Sequence, residues 1–341
     1  MVESSSQGEA FVPAPVRGGR RRGAAGATVV VGVVVLMVIV AVARTGGTSA
    51  GTGRAGLRLV TPAARAQAGD YVAIGDSFSS GDGAGDYEDG DDCRRSARSY
   101  PVLTGAAFEF HGDVRVETCT GARAGDVLVD QVDAVTGGAS LVTIGIGGND
   151  ADWSAVVLQC WWEDADGCEG DDAEARERID EAAGRAGRVY REARAEAGDG
   201  ARIVAVGYPR LFPTEPDDDF MDRHPACLGV HVLAPVCLSR TISPREQRYM
   251  NDLVRVLNDR LAAEATDAGA EFLDLTDAFD GHELTADDAL LHGLVLDWPD
   301  CPPLTWGCVA SALQPESLHP TADGQSAMAD ALAAHIRNPW S

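Results

Sequence analysis

Along the chain, short apolar runs that stop at glycine or small polar residues alternate with longer segments in which apolar residues return every three or four positions. The runs near 71–75, 114–117, 140–146, 201–207 and 270–275 are too short for helices, and several are apolar throughout, the pattern of strands buried on both faces. In the segment between the third and fourth runs, Ile179, Ala183, Ala186, Val189, Tyr190, Ala193 and Ala197 recur at helical spacing and predict a core-facing stripe. A final helix is predicted over 322–336. The alternation implies an α/β fold whose sheet is parallel, covered on both faces, and joined by right-handed crossovers. Two stretches, 211–240 and 279–314, show no such period and are long for ordinary loops. They are expected to wall a cleft.

One further apolar stretch fits neither pattern. Residues 23–43 contain no charge and no proline, and Arg17, Arg20, Arg21 and Arg22 stand just before them. Twenty-one such residues suit a bilayer, and the arginines place the N-terminus on the cytoplasmic side. Four segments are therefore expected: a basic cytoplasmic one (1–22), a signal sequence or transmembrane anchor (23–43), a Gly/Ala/Thr-rich flexible linker (44–69) and the folded domain (70–341). Ala41-Val42-Ala43 resembles a cleavage site, so both a cleaved and a retained segment stay open. Either way the domain is exported, secreted or held at the cell envelope. Eight cysteines, even in number and without a CxxC pair, point to the same oxidising compartment.

The formal net charge is −25. Residues 1–68 hold eight arginines against two glutamates, so the remainder carries −31. Such a domain is repelled by nucleic acid and by anionic headgroups, which leaves membrane contact to the N-terminal segment alone. A small-molecule or lipid ester is the expected partner, and the domain is expected to be a monomer.

The candidate chemistry sits where apolar runs end. Gly75-Asp76-Ser77 closes the first run and opens into small polar residues, so Ser77 is presented rather than packed. Thr118-Cys119-Thr120-Gly121 follows the second run, and Gly147-Gly148-Asn149-Asp150 follows the third. Ser317-Leu318-His319-Pro320 lies just ahead of the last helix. Together these supply the parts of acyl transfer. A serine hydroxyl needs a base, and the carbonyl oxygen it attacks needs hydrogen-bond donors. His319, with an ordinary pKa of about 6.5, can take the proton from Ser77. The N–H groups of Ser77 and Gly121 and the amide of Asn149 can face the oxyanion.

These four blocks, in this order, resemble the SGNH hydrolases of the GDSL esterase and lipase family. The segments SSGDGAGDY, Cys93 to Ser96, Tyr100-Pro101 and Gly207-Tyr208-Pro209 resemble its secreted bacterial lipase branch. The resemblance implies a flavodoxin-like three-layer α/β/α sandwich around a mostly parallel five-stranded sheet. It implies Ser77 as nucleophile, Gly121 and Asn149 with Ser77 as oxyanion donors, His319 as general base, and no cofactor. It also implies disulfides Cys93–Cys119 and Cys160–Cys168. Cys227, Cys237, Cys301 and Cys308 allow three pairings, of which the local pairs Cys227–Cys237 and Cys301–Cys308 are favoured. An aspartate commonly stands three residues before the family histidine, and here that place is Glu316. Two readings stay open: Glu316 orients His319, or a backbone carbonyl does.

Other features are expected to be structural. His111, His224, His231, His282, His292 and His335 lack the chain position of His319; His292, in a glycine-containing loop, is its strongest rival. Asp82, Asp86, Glu88, Asp89, Asp91 and Asp92 lack regular ligand spacing and read as a solvated acidic loop, so no metal is expected. The expectation is an exported esterase or lipase acting on lipid or simple acyl esters through an acyl-enzyme, with Trp298 and Trp306 offered as acyl contacts. A polysaccharide O-acetylesterase, an acyltransferase and a noncatalytic envelope ligand-binding module are the alternatives.

Overall fold

The computed structural model describes residues 69–162, 168, 172–216, 220–221, 226–228, 236–238, 241–295 and 314–337. The basic segment, the apolar stretch 23–43 and the linker up to residue 68 lie outside them, as do Trp298, Trp306, Cys301, Cys308, His224 and His231. Among the described residues no helix is long and apolar enough to cross a membrane.

Strand β1 (Asp70–Gly75) leads directly into the short helix α1 (Ser77–Ser80). Helix α2 (Tyr100–Ala107), strand β2 (Val114–Val116) and the helical turn α3 (Ala124–Asp126) follow, and the turn runs on through one π-type and one 3₁₀ turn to Ala134. Then come β3 (Ala139–Gly145), α4 (Trp153–Trp162), α5 (Asp172–Ala197) and β4 (Arg202–Val206). Four short strands succeed them: β5 (Phe220–Met221), β6 (Ala226–Leu228), β7 (Val236–Leu238) and β8 (Thr241–Ile242). The described chain ends with α6 (Pro244–Asp267), β9 (Glu271–Leu273) and α7 (Ala322–Arg337).

Five strands form one sheet in the order β2-β1-β3-β4-β9, every pair parallel. Tyr71 pairs with Val114 on one side and Leu141 on the other, and Leu141 pairs with Arg202. Their apolar character follows from burial on both faces: Tyr71 to Ile74 and Val142, Ile144, Ile203, Val204 and Ala205 are fully enclosed. Helices flank the sheet, α5 packing with α6 and α2 with α7, which makes three layers. The predicted stripe from Ile179 to Ala197 is buried in α5. Helix α6 starts at a capping box in which Ser243 and Glu246 satisfy each other's backbone N–H, with Pro244 in the first turn.

The stretch 211–240 is not wholly irregular. It carries β5, paired antiparallel with β8 just beyond it, and β6 paired antiparallel with β7, whose register sets Cys227 opposite Cys237.

Strand order decides where chemistry can collect. The chain leaves β1 for β2 on one side and reaches β3 on the other, so the carboxyl ends of β1 and β3 flank a topological switch point, where a crevice opens in such sheets. The two ends approach closely. Gly75, at φ +143°, would place a Cβ 2.2 Å from the Gly145 carbonyl oxygen, and Asp76 N–H donates to that oxygen at 2.9 Å. Gly75→Ala is therefore expected to lower stability by about 2–4 kcal/mol in chemical denaturation. An unchanged midpoint would contradict this close approach.

Candidate active site

The end of β1 becomes a helix start because Asp76 caps it, one carboxylate oxygen accepting from Phe78 N–H at 3.1 Å. The other oxygen accepts from the Tyr208 hydroxyl at 2.6 Å, and that hydroxyl accepts from Gly148 N–H at 3.0 Å. A single buried chain thus ties the turn bearing Ser77 to the turn bearing Asn149. Burial pushes the Asp76 carboxyl up to about 7, with nearby Asp150 adding to it, while the bonds from Tyr208 and Phe78 hold it down. Tyr208 was visible in the sequence only as part of a Gly-Tyr-Pro run.

Ser77 Oγ lies 2.6 Å from His319 Nε2. On the far side of the ring, Nδ1 lies 2.9 Å from the backbone carbonyl of Ser317. A carbonyl only accepts, so Nδ1 carries the proton and Nε2 is left to accept from the serine. Burial lowers the His319 pKa, and His292 and Arg94 lower it further, against the opposing charge of Asp82 and the Ser317 bond. The imidazole is consequently neutral at neutral pH. Phe78 packs against its ring at 5.1 Å.

The group that meets Nδ1 is the Ser317 carbonyl rather than Glu316, and the reason is local. Leu318 adopts φ +62°, which turns the preceding carbonyl back onto the ring of His319. Such a conformation costs a non-glycine residue about 1–2 kcal/mol. The turn is held by Leu318 N–H donating to the His292 carbonyl and His292 N–H donating to the His319 carbonyl. Glu316 faces Arg94 instead, at 3.3 Å. His292 is no rival base, since its Nε2 meets the Gly83 carbonyl at 2.8 Å. His335 pairs with Glu271 and His282 with Asp288.

The donors expected for an oxyanion lie on turns that are bonded to one another. Gly121 takes φ +74° on an exposed turn where a Cβ would meet nothing, so its glycine serves the backbone conformation. That turn is tied down by Cys119 N–H to the Gly75 carbonyl, Thr120 N–H to the Cys93 carbonyl and the disulfide Cys93–Cys119. Among the described residues, neither Ser77 N–H nor Gly121 N–H donates to a protein acceptor. Asn149 gives one amide hydrogen to the Ala122 carbonyl at 3.0 Å, which leaves the other available. Asp150 accepts from Ala124 N–H at 2.8 Å, binding the same two loops again. A second disulfide joins Cys160 and Cys168.

The acidic loop departs from its solvated reading at Asp91, which pairs with Arg95, and most of all at Asp82. Asp82 is fully buried and paired with Arg94, because the loop folds back beneath the catalytic turns instead of standing in water. Among the described residues no group of three or more His, Cys, Asp or Glu could hold a metal ion.

Ser77, Asn149 and His319 open onto one cleft. Its remaining walls include Trp153, Val157, Leu211, Val254, Leu257 and Leu294, with Asp76, Ser154, Tyr208 and Ser317 among the polar residues, so it is mainly apolar.

The pattern of the GDSL-like lipase/acylhydrolase family matches residues 73–327. A lipase of Streptomyces rimosus is 34% identical over 280 residues, covering 80% of this chain and 88% of its own. Lipase 1 of Streptomyces coelicolor is 34% identical over 282 residues, covering 81% and 88%. Among solved structures, phospholipase A1 from Streptomyces albidoflavus is similar with a TM-score of 0.61 at 32% identity, over 78% of this chain and 98% of that one. The extracellular lipase from Streptomyces rimosus matches with a TM-score of 0.59 at 31% identity, over 78% and 99%. The chain belongs to the GDSL-like lipase/acylhydrolase family and is a carboxylic ester hydrolase.

Two outcomes follow from the site. Glu316→Ala is expected to keep kcat within about threefold of wild type, since the carbonyl holds the ring; a loss of two orders of magnitude or more would restore the glutamate. If His319 is the base, the acidic limb of kcat/KM is expected to rise through a pKa below the ordinary 6.5, because burial lowers the pKa of this imidazole. A limb centred above 6.5 would contradict it.

Proposed function

We propose that Ser77 and His319 form a catalytic dyad that hydrolyses fatty acyl esters of lipids through an acyl-enzyme. The observation that carries this is the 2.6 Å contact between Ser77 Oγ and His319 Nε2, with Nδ1 already committed to the Ser317 carbonyl. His319 takes the hydroxyl proton as Oγ attacks the ester carbonyl. The oxyanion that forms accepts from Ser77 N–H, Gly121 N–H and the Asn149 amide, each worth roughly 3 kcal/mol of barrier. The tetrahedral intermediate collapses, and the leaving alcohol takes the proton from Nε2. Water, deprotonated by the same nitrogen, then attacks the acyl-serine and frees the acid while Ser77 regains its proton.

The acyl preference rests on the cleft. Its walls offer carbon and indole surface with few polar partners, which suits a hydrocarbon chain better than an acetyl group on a sugar. The Streptomyces relatives named as lipases and as a phospholipase A1 support the same class of substrate. Export is proposed as well. Two disulfides, a relative described as extracellular and the arginine-preceded apolar stretch 23–43 all favour a domain beginning near residue 70 that works outside the cytoplasm.

p-Nitrophenyl esters of graded chain length test the reading, with Ser77→Ala as control. Octanoyl and palmitoyl esters are expected to be cleaved faster than acetyl, and the serine variant to lose at least about four orders of magnitude in kcat. Activity confined to acetyl esters would overturn the acyl assignment in favour of an O-acetylesterase. No hydrolysis and no fluorophosphonate labelling would leave a binding module.

A further inference from the structure

None of the acidic residues that follow the nucleophile takes part in that reaction, yet one of them is tied to the turns that carry Ser77 and Gly121 and adjoins the one that carries His319. Asp82 is wholly enclosed, and its own N–H donates to the Ser77 carbonyl at 3.0 Å. One carboxylate oxygen accepts from Thr120 Oγ1 at 2.7 Å, and Thr120 immediately precedes Gly121. The other accepts from Arg94 Nε at 2.9 Å and from Gly83 N–H at 3.0 Å. Arg94 continues to Glu316 at 3.3 Å, next in sequence to the residue whose carbonyl holds His319. It also lies over the Tyr87 ring at 4.4 Å and donates to the Tyr87 hydroxyl at 3.2 Å. Gly83 abuts the histidine turn so closely that a Cβ there would lie 2.7 Å from the Pro320 carbonyl oxygen and 3.1 Å from His319 Cβ.

We infer that Asp82 is a positioning residue for the hydrolytic reaction, joining the nucleophile turn, the oxyanion turn and the histidine turn in one buried network and supplying the negative charge that the Ser317 carbonyl lacks. The inference rests on the Ser77–His319 reading. A carbonyl can orient an imidazole but brings no full charge to balance the imidazolium formed as the serine attacks. In a buried site a nearby carboxylate stabilises that cation even without touching it. The other groups that bear on the ring are accounted for. His292 and Arg94 face it and disfavour the cation, Asp76 lines the same cleft, and Glu316 and Tyr87 lie beyond Arg94. Asp82 is the carboxylate whose charge opposes this burial and repulsion.

Opposite charge changes on the two partners separate this role from a merely structural one. Asp82→Asn keeps the side-chain size and removes the charge, so the acidic limb of kcat/KM is expected to move to lower pH and kcat to fall roughly tenfold to a hundredfold. Arg94→Gln removes a cation and is expected to move the limb to higher pH. Thr120→Val breaks only the tie to the oxyanion turn and is expected to lower kcat about tenfold at unchanged KM. Folding of each variant is checked by circular dichroism. If Asp82→Asn does not fold, the other two decide. Limbs that stay in place or move in the same direction, or a wild-type kcat in Thr120→Val, would overturn the inference. Wild-type turnover and fluorophosphonate labelling in the same assays separate that result from failure of the serine–histidine reading itself.

Discussion

The site depends on one short hydrogen bond, that between Ser77 Oγ and His319 Nε2, and on the backbone carbonyl that fixes the other face of the ring. In the proposed dyad, an imidazole free to rotate, or carrying its proton on the wrong nitrogen, could not take the proton of the serine. The Ser317 carbonyl removes both freedoms, because an acceptor at Nδ1 leaves only Nε2 to receive a proton. Its position comes from the left-handed turn at Leu318. Strain of this kind persists only where surrounding structure over-determines it, and here the exchange of backbone bonds with His292 does so.

Everything else brings distant segments to that bond. The sheet order puts the ends of β1 and β3 side by side, and the close approach of Gly75 to Gly145 leaves Ser77 and Asn149 on neighbouring turns. Asp76, Tyr208 and Gly148 lock those turns together from below, while Asp82, Thr120 and Arg94 reach across to the oxyanion and histidine loops. The disulfide Cys93–Cys119 closes the same circuit covalently. Buried polar networks of this kind stabilise geometry only when their members are satisfied, and the carboxylates of Asp76 and Asp82 each accept from at least two donors.

The strands were legible because a parallel sheet enclosed on both faces demands nearly continuous apolar runs, and the five observed strands lie within about two residues of those runs at each end. The convergence of Ser77, Asn149 and His319 on one cleft was legible because each ends an apolar run or precedes a helix in an order that resembles the family. What escaped the sequence depends on backbone conformation and on folding back. The positive φ at Leu318 has no residue signature, so Glu316 stood as a candidate for the place at Nδ1 that its neighbour's carbonyl occupies. Asp82 sits in a run of acidic residues that reads as solvent-facing, and only its Arg94 and Thr120 partners, 12 and 38 residues away, explain its burial. Tyr208 is likewise ordinary in sequence and central in space. The small ladders around Cys227 and Cys237 were hidden by their brevity.

A crystal structure of the protein inactivated by a fluorophosphonate tests the central claim most directly, since the adduct mimics the tetrahedral intermediate. The account predicts phosphorus bonded to Ser77 Oγ, one phosphonyl oxygen within about 2.7–3.1 Å of Ser77 N, Gly121 N and Asn149 Nδ2, and His319 Nδ1 still on the Ser317 carbonyl. An adduct whose oxygen points away from those donors, or a His319 ring turned to Glu316, would contradict it.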